Sequence, residues 1–164
     1  MRLYLMRHAI AVAHGAPGCG EDSKRPLTEQ GHDQARRVAQ GLKRLKLPVD
    51  AIYTSPYVRA AQTAEEAAHA LAGRLAVKKL DALRAEAEPR ETSLALKGLP
   101  EDGHVLLVGH EPHLSSWLAE LTGGRCLMKK AGVACVEIDR VPPPPGSGTL
   151  RWLMTPKQLM AIGA

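Results

Sequence analysis

The chain has 164 residues, of which 45% are hydrophobic and 24% are charged. This length predicts one domain spanning residues 1–164, and the balanced composition excludes an intrinsically disordered chain. The net charge of +5 favours anionic partners. Aromatic residues make up only 3% and phenylalanine is absent, so the chain has few side chains on which nucleic-acid bases could stack.

The chain shows no sign of export or of membrane insertion. Arg7 and His8 interrupt the apolar N-terminal stretch, so it lacks the continuous apolar segment of a signal peptide. No run approaches the roughly 18 apolar residues of a membrane span. Cys19, Cys126 and Cys135 are odd in number and show no C-x-x-C spacing. We therefore expect a cytoplasmic protein with neither a membrane nor a nucleic acid as partner.

Strand-length and helix-length apolar patterns alternate along the chain. The sequence predicts strands at Arg2–Arg7, Ala51–Thr54, Ala76–Leu80, His104–Val108, Val133–Val141 and Thr149–Thr155. It predicts helices from the capping residue Thr28 to Leu45, from Pro56 to about Ala72, from near Pro89, from Pro112 to Gly123, and after Pro156. This alternation predicts an α/β fold whose central sheet is mostly parallel, with helices on both faces. The last two strands, joined by the proline-rich segment 142–148, are expected to form an antiparallel edge.

Three predicted strands end in residues that suit an anionic ligand. Arg7 and His8 follow the first strand, and His110 follows the strand at 104–108. Arg59 lies in the first turn of the helix after the strand at 51–54. Ligands of open α/β sheets bind beyond the carboxyl ends of the strands. If the three strands are neighbours, two arginines and two histidines converge on one pocket.

This combination of residues suits a phosphoryl group. Guanidinium groups bind phosphate oxygens through paired hydrogen bonds, and helix N-termini add backbone donors. A neutral imidazole is a competent nucleophile at phosphorus. We expect the nearby arginines to lower the pKa of His8 and to keep its ring neutral. The second histidine and the two arginines would stabilise the charge on the transferring group.

The motifs resemble those of a known superfamily. Arg7-His8 resembles the R-H-G signature of the histidine phosphatase (phosphoglycerate mutase-like) superfamily, with Ala9 in place of the usual glycine. Residues 55–64, SPYVRAAQTA, are similar to its S-x-x-x-R-A-x-Q-T segment, and Gly109–Pro112 resembles its second-histidine motif.

Two further segments resemble one branch of that superfamily. Residues 22–35 contain a run similar to R-P-L-T-x-x-G-x-x-Q-A of the small bacterial SixA-type branch, and residues 150–156 also resemble that branch. The likeness extends over nearly the whole chain. It implies a phosphoglycerate mutase-like, three-layer α/β/α sandwich and a phosphohistidine phosphatase of SixA type.

The resemblance also implies roles for individual residues. His8 would be the nucleophile that becomes phosphorylated, and Arg7, Arg59 and His110 would bind the phosphoryl oxygens. The enzyme would be a hydrolase of phosphoric monoesters or phosphoramidates, with no metal and no cofactor. Its partner would be a phosphorylated histidine phosphotransfer domain or related signalling protein, and phosphate or sulfate would fit the site.

Two side-chain roles stay open at this stage. Many members of the superfamily carry a carboxylic acid on an inserted lid, whereas this chain is short and shows no obvious lid. A proton donor would come from the segment that contains Glu86, Glu88 and Glu91. Each of these residues can equally be interpreted as a solvated loop charge. Arg25 either binds substrate at the rim of the pocket or is a loop charge neutralised by Asp22 or Glu29.

Alternative functions also remain. The segment His110-Glu111-Pro112-His113 lacks the H-E-x-x-H spacing of a zinc site, because Pro112 begins a helix rather than lying inside one. A phosphatase of small phosphorylated metabolites would use the same four residues. A phosphate-binding module without activity is the more distant alternative, because such a module has no need of the nucleophile His8.

Overall fold

The computed structural model describes residues 1–18, 20–71, 75–99 and 102–164. The described residues form six strands and five α-helices. The strands are β1 (Arg2–Arg7), β2 (Ala51–Thr54), β3 (Val77–Lys79), β4 (His104–Gly109), β5 (Val133–Glu137) and β6 (Thr149–Met154). The helices are α1 (Glu29–Arg44), α2 (Val58–Leu71), α3 (Pro89–Ala95), α4 (His113–Thr122) and α5 (Pro156–Gly163).

All six strands form one sheet in the order β3-β2-β4-β1-β5-β6. The strands β3, β2, β4 and β1 are parallel neighbours, whereas β5 is antiparallel to both β1 and β6. This confirms the mostly parallel sheet with an antiparallel pair at its C-terminal edge. The three strands that carry the candidate residues, β2, β4 and β1, lie side by side.

The side chains of the central strands alternate between two apolar cores, one on each face of the sheet. Tyr4 and Met6 of β1 pack with α1, α2 and α5, whereas Leu3 and Leu5 pack with α4 and the segments around Leu83 and Leu96. Successive residues of a strand point to opposite faces, so a strand covered on both sides is apolar throughout. This arrangement gives the predicted three-layer α/β/α sandwich.

Local signals in the sequence explain several helix ends. Thr28 caps α1, since its hydroxyl accepts a hydrogen bond from the backbone of Gly31 at 3.0 Å. Thr155 and Gln158 form a capping box at the start of α5. Gly123 ends α4 in the left-handed conformation, with φ of 73°.

Some predicted boundaries are wrong. Helix α2 begins at Val58 rather than at Pro56, because Ser55–Tyr57 form a turn in which the Ser55 hydroxyl accepts a hydrogen bond from the Tyr57 backbone. Strand β5 ends at Glu137 rather than at Val141. Pro112 precedes α4 as its capping residue instead of opening its first turn. The predicted end of α2, Ala72, lies outside the described residues. Within the described ranges, no helix is both long and apolar enough to cross a membrane.

The close approach of α1 and α5 yields a stability prediction. A Cβ atom on Gly41 would collide with the backbone carbonyl of Leu159 in α5. We expect Gly41→Ala to lower the free energy of unfolding by about 1–3 kcal/mol, as in other overpacked interiors. The higher intrinsic helix propensity of alanine, about 1 kcal/mol, acts in the opposite direction.

Urea unfolding followed by circular dichroism measures this effect. Gly98→Ala is the control, because a Cβ atom there would meet nothing within 4 Å. If Gly41→Ala proved as stable as the parent protein, the two helix backbones would not be in close contact.

Candidate active site

Three adjacent strand ends form the floor of the candidate site. Arg7 of β1 pairs with Gly109 of β4, and Thr54 of β2 pairs with Val108. The ladder continues one residue beyond these pairs, since His8 donates its backbone N–H to Gly109 and Ser55 donates to Val108, each at 2.9 Å. His8, Ser55 and His110 are therefore neighbours at one edge of the sheet.

His8 has one ring nitrogen fixed and one available. Nδ1 lies 2.7 Å from the backbone carbonyl of Ala9, and since a carbonyl only accepts, Nδ1 carries the proton. Nε2 of the neutral ring then carries the lone pair, and it accepts a hydrogen bond from Nε of Arg59 at 3.3 Å. Only 8% of the residue is exposed. The geometry presents Nε2 as a nucleophile.

Burial keeps the His8 ring neutral at physiological pH. The pKa of His8 is lowered to about 4, chiefly by burial and to a smaller extent by the charges of Arg59, Arg7 and Lys130, whereas the hydrogen bond to the Ala9 carbonyl raises it. The arginine charges anticipated from the sequence therefore act in the expected direction, but burial is the larger cause.

Arg59 extends from the first turn of α2 toward His8 and is 3% exposed. Its Nη1 donates to the backbone carbonyl of Asp22 at 2.7 Å, and its Nη2 donates to Oδ2 of Asp22 at 2.9 Å. The ring of Tyr57 lies 5.1 Å from the guanidinium carbon, within the range of a cation–π contact. Each of the three guanidinium nitrogens of Arg59 therefore donates a hydrogen bond to His8 or Asp22.

Arg7 approaches from the end of β1. Its Nη1 donates to the backbone carbonyl of Met128 at 2.8 Å. The Met128 backbone in turn donates to the hydroxyl of Ser115, which donates to the carboxylate of Glu111 at 2.8 Å. Burial lowers the pKa of Arg7, but a guanidinium remains charged at any physiological pH. Its partner is a neutral carbonyl, so its positive charge is left available to an anion.

His110 follows β4 and is 1% exposed. Its Nε2 lies 2.8 Å from the Ser55 hydroxyl, and its ring centre lies 5.1 Å from that of His8. The ring of Tyr57 covers it at 5.0 Å. Burial, followed by the charges of His8 and Arg59, lowers the pKa of His110 to about 2, so this ring is also neutral. The four predicted residues Arg7, His8, Arg59 and His110 are therefore brought together.

Arg25 also borders the site, but its polar atoms already have protein partners. Its Nε and Nη2 contact Oδ1 of Asp22 at 2.8 and 2.7 Å, and its Nη1 donates to the Val12 carbonyl. The expectation that Asp22 neutralises Arg25 agrees with this geometry. Contact of Arg25 with substrate remains a prediction.

The three candidate acids differ in their relation to the site. Glu86 accepts a hydrogen bond from the Tyr57 hydroxyl at 2.7 Å, which connects it to the ring beside His110. That hydrogen bond is the main cause of a lowered pKa of Glu86, so its carboxyl is ionised at neutral pH and is a poor proton donor. Glu88 and Glu91 are exposed at the start of α3.

In the described part of the chain, no group of three or more histidine, cysteine, aspartate or glutamate side chains is arranged to hold a metal ion. His113 is buried against Trp117, and its Nε2 lies 2.9 Å from the Thr92 hydroxyl, so it belongs to the packing of α3 on α4. The four central side chains, Arg7, His8, Arg59 and His110, are instead cationic or neutral, which is the donor set of an oxyanion site.

Sequence reasoning missed two supporting residues. Asp22 holds Arg59 as well as Arg25, and Ser55 holds His110. Both lie inside the motif segments, Asp22 in residues 22–35 and Ser55 in residues 55–64. Nothing in the spacing indicates that the Asp22 loop reaches across to α2, because that contact joins residues 37 positions apart.

Comparisons with known proteins agree with this geometry. The model of the histidine phosphatase superfamily (branch 1) matches residues 3–87. The phosphohistidine phosphatase SixA of Escherichia coli (strain K12) is 32% identical over 163 residues, covering 97% of this chain and 96% of that protein. An uncharacterized protein of Picosynechococcus sp. (strain ATCC 27264 / PCC 7002 / PR-6) is 37% identical over 145 residues, covering 81% and 82% of the two chains.

Among solved structures, the protein histidine phosphatase SixA complexed with tungstate matches with a TM-score of 0.82 and 31% identity. The match covers 97% of this chain and 99% of that one. The sequence match and the structural match both extend over nearly the full chain. This protein belongs to the histidine phosphatase superfamily, branch 1.

Proposed function

We propose that this protein is a phosphohistidine phosphatase that acts through a covalent phosphohistidine on His8. The observation that carries the proposal is the state of His8, whose Nδ1 donates to the Ala9 carbonyl and whose unprotonated Nε2 faces Arg59. A buried imidazole with its lone pair directed at an arginine suits attack on a bound phosphoryl group. Membership of the superfamily supports the same chemistry.

The reaction has two steps. Nε2 of His8 attacks phosphorus, the bond between phosphorus and the leaving group breaks, and the leaving nitrogen or oxygen takes up a proton from solvent. Water then attacks the phosphorus, the bond between phosphorus and Nε2 of His8 breaks, and inorganic phosphate leaves with the protons of the water molecule. The phosphorylated ring keeps its Nδ1 proton, so the Ala9 carbonyl stabilises the positive charge that develops on it. A leaving imidazole departs protonated more easily than an alkoxide, which fits a site without an inserted acid.

Arg7, Arg59 and His110 stabilise the transferring phosphoryl group in this proposal. The Nε–H of Arg59, which is directed at Nε2 of His8, donates to a phosphoryl oxygen when the phosphoryl group lies at that nitrogen. The charge of Arg7 is opposed by a carbonyl dipole rather than by a carboxylate in direct contact. Such preorganised donors in a site of low dielectric are the main source of catalysis in phosphoryl transfer. Tungstate in the SixA structure is an oxyanion, which supports an anion site in this fold.

The physiological substrate belongs to the same proposal. We place the phosphoryl group on a histidine phosphotransfer domain or a related signalling protein in the cytoplasm. The 32% identity to a phosphohistidine phosphatase supports the phosphoramidate as leaving group. The free thiols of Cys126 and Cys135 suit a reducing compartment.

The nucleophile is tested by His8→Ala. We expect phosphate release from a phosphoramidate or a phosphate ester to fall by at least about a thousandfold, since the covalent route is lost. His69→Ala, which removes an exposed histidine from the end of α2, is the matched control and should turn over like the parent protein. Both are assayed with and without EDTA, which should have no effect. Full turnover by His8→Ala would refute the mechanism.

The protonation state of His8 is tested by NMR titration of ¹⁵N-labelled histidine. Since burial lowers its pKa to about 4, His8 should stay neutral with a proton on Nδ1 at pH 5–7 and titrate near pH 4. The unfolded chain takes up that proton near pH 6.5, whereas the folded protein does so only near pH 4. The free energy of unfolding is therefore unaffected by His8 above pH 6.5 and decreases as pH falls from 6.5 toward 4. A His8 resonance that titrates near pH 6.5 would contradict the geometry.

The leaving group is tested by a comparison of substrates. A phosphorylated histidine phosphotransfer domain and a panel of phosphate esters are assayed with the same enzyme. We expect kcat/KM to be at least about a hundredfold higher for the phosphoprotein, because imidazole departs without an acid and alkoxides do not. A sugar or serine phosphate turned over as fast as the phosphoprotein would instead favour a phosphatase of small metabolites.

A further inference from the structure

Two different oxygens of Asp22 accept hydrogen bonds from the two terminal nitrogens of the Arg59 guanidinium. Its backbone carbonyl accepts from Nη1 at 2.7 Å, and its side-chain Oδ2 accepts from Nη2 at 2.9 Å. The third nitrogen, Nε, lies 3.3 Å from Nε2 of His8. A guanidinium is planar and rigid, so fixing two of its nitrogens fixes the direction of the third.

We propose that Asp22 is a positioning residue, which holds Arg59 so that its Nε edge faces the reacting nitrogen of His8. This inference rests on the proposed function, because it assigns the held edge of Arg59 to the phosphoryl group. A free arginine side chain has several rotatable bonds, and ordering it as substrate binds would oppose catalysis. Asp22 supplies that order before substrate arrives.

Asp22 is itself held in place. Its second carboxylate oxygen, Oδ1, accepts a hydrogen bond from Nε of Arg25 and lies 2.7 Å from Nη2 of that residue, whose Nη1 reaches the Val12 carbonyl. A short 3-10 helix, Asp22–Lys24, brings the aspartate and Arg25 to the required spacing. Burial would raise the pKa of Asp22, but the hydrogen bonds from Arg25 and Arg59 outweigh it and hold the pKa below its usual value. The carboxylate therefore stays charged at the pH of the reaction.

The arrangement has an electrostatic cost that makes it testable. A carboxylate next to the phosphoryl site repels a bound phosphate, so removing its charge should strengthen simple anion binding. Removing the hold on Arg59 should weaken binding of the transition state, in which the oxygens are placed more strictly. Loss of the Asp22 side chain should therefore leave the affinity for a ground-state anion unchanged or higher and lower the affinity for a transition-state analogue. Inorganic phosphate reports the ground state, and vanadate, which adopts the five-coordinate geometry, reports the transition state.

The experiment compares Asp22→Ala and Asp22→Asn with the parent protein. Both substitutions remove the charge, but only asparagine keeps a side-chain oxygen for Nη2 of Arg59. We expect Asp22→Ala to lower kcat and vanadate affinity by at least about tenfold, the size of one charge-assisted hydrogen bond. Phosphate affinity should be unchanged or higher, and Asp22→Asn should retain more vanadate affinity than Asp22→Ala. Glu21→Ala, which removes an exposed neighbouring carboxylate, is the control.

Two outcomes overturn the proposal. Equal changes in phosphate and vanadate affinity would show that Asp22 acts through charge or through folding alone. A loss in Asp22→Ala that persists undiminished in an Arg59→Ala background would show that Asp22 does not act through Arg59. Failure of the proposed function is distinguishable, because it requires His8→Ala to remain active. An inactive His8→Ala together with an Asp22→Ala that matches the parent protein would reject this inference alone.

Discussion

The parallel pairing of β1 with β4, and of β4 with β2, is the constraint on which the site depends. Parallel strands end at the same edge of a sheet, so the residue that follows each strand meets the residues that follow its neighbours. His8, His110 and Ser55 each follow one of these strands. No contact between their side chains is needed to bring them together, because the backbone ladder already does so. The apolar residues of the three strands, packed on both faces, hold that ladder in register.

Burial of the site determines which of its side chains carry a charge. Two arginines and two histidines lie close together at the site, and burial disfavours every positive charge there. The two imidazoles stay neutral, and Nε2 of His8 keeps its lone pair. The guanidiniums cannot lose their protons, so they are stabilised by hydrogen bonds to the Met128 carbonyl and to Asp22. The site therefore combines neutral rings with permanent cations, which suits an anionic ligand such as a phosphoryl group.

The sequence predicts the sheet and the four central residues because both depend on local patterns. Apolar runs of strand length identify β1, β2 and β4, and short motifs place Arg7, His8 and His110 at strand ends and Arg59 in the first turn of the helix that follows β2. The roles of Asp22 and Ser55 depend on how distant segments meet. The turn at Ser55–Tyr57 delays the start of α2 by two residues beyond Pro56, and the loop at Asp22 folds back over Arg59. Neither contact is encoded by periodicity or by spacing along the chain.

Ala9 shows how the chain accommodates a departure from its family's usual motif. The position is fully buried, and its methyl group packs into the core shared by α1 and α2. Its backbone N–H donates to the hydroxyl of Thr63 at 3.0 Å, and that hydroxyl donates to the Arg59 carbonyl at 2.7 Å. Its own carbonyl accepts from Nδ1 of His8. One peptide segment thus links His8 to the helix that carries Arg59. The function of this position resides in its backbone, so an alanine serves there as long as the core has room for a methyl group.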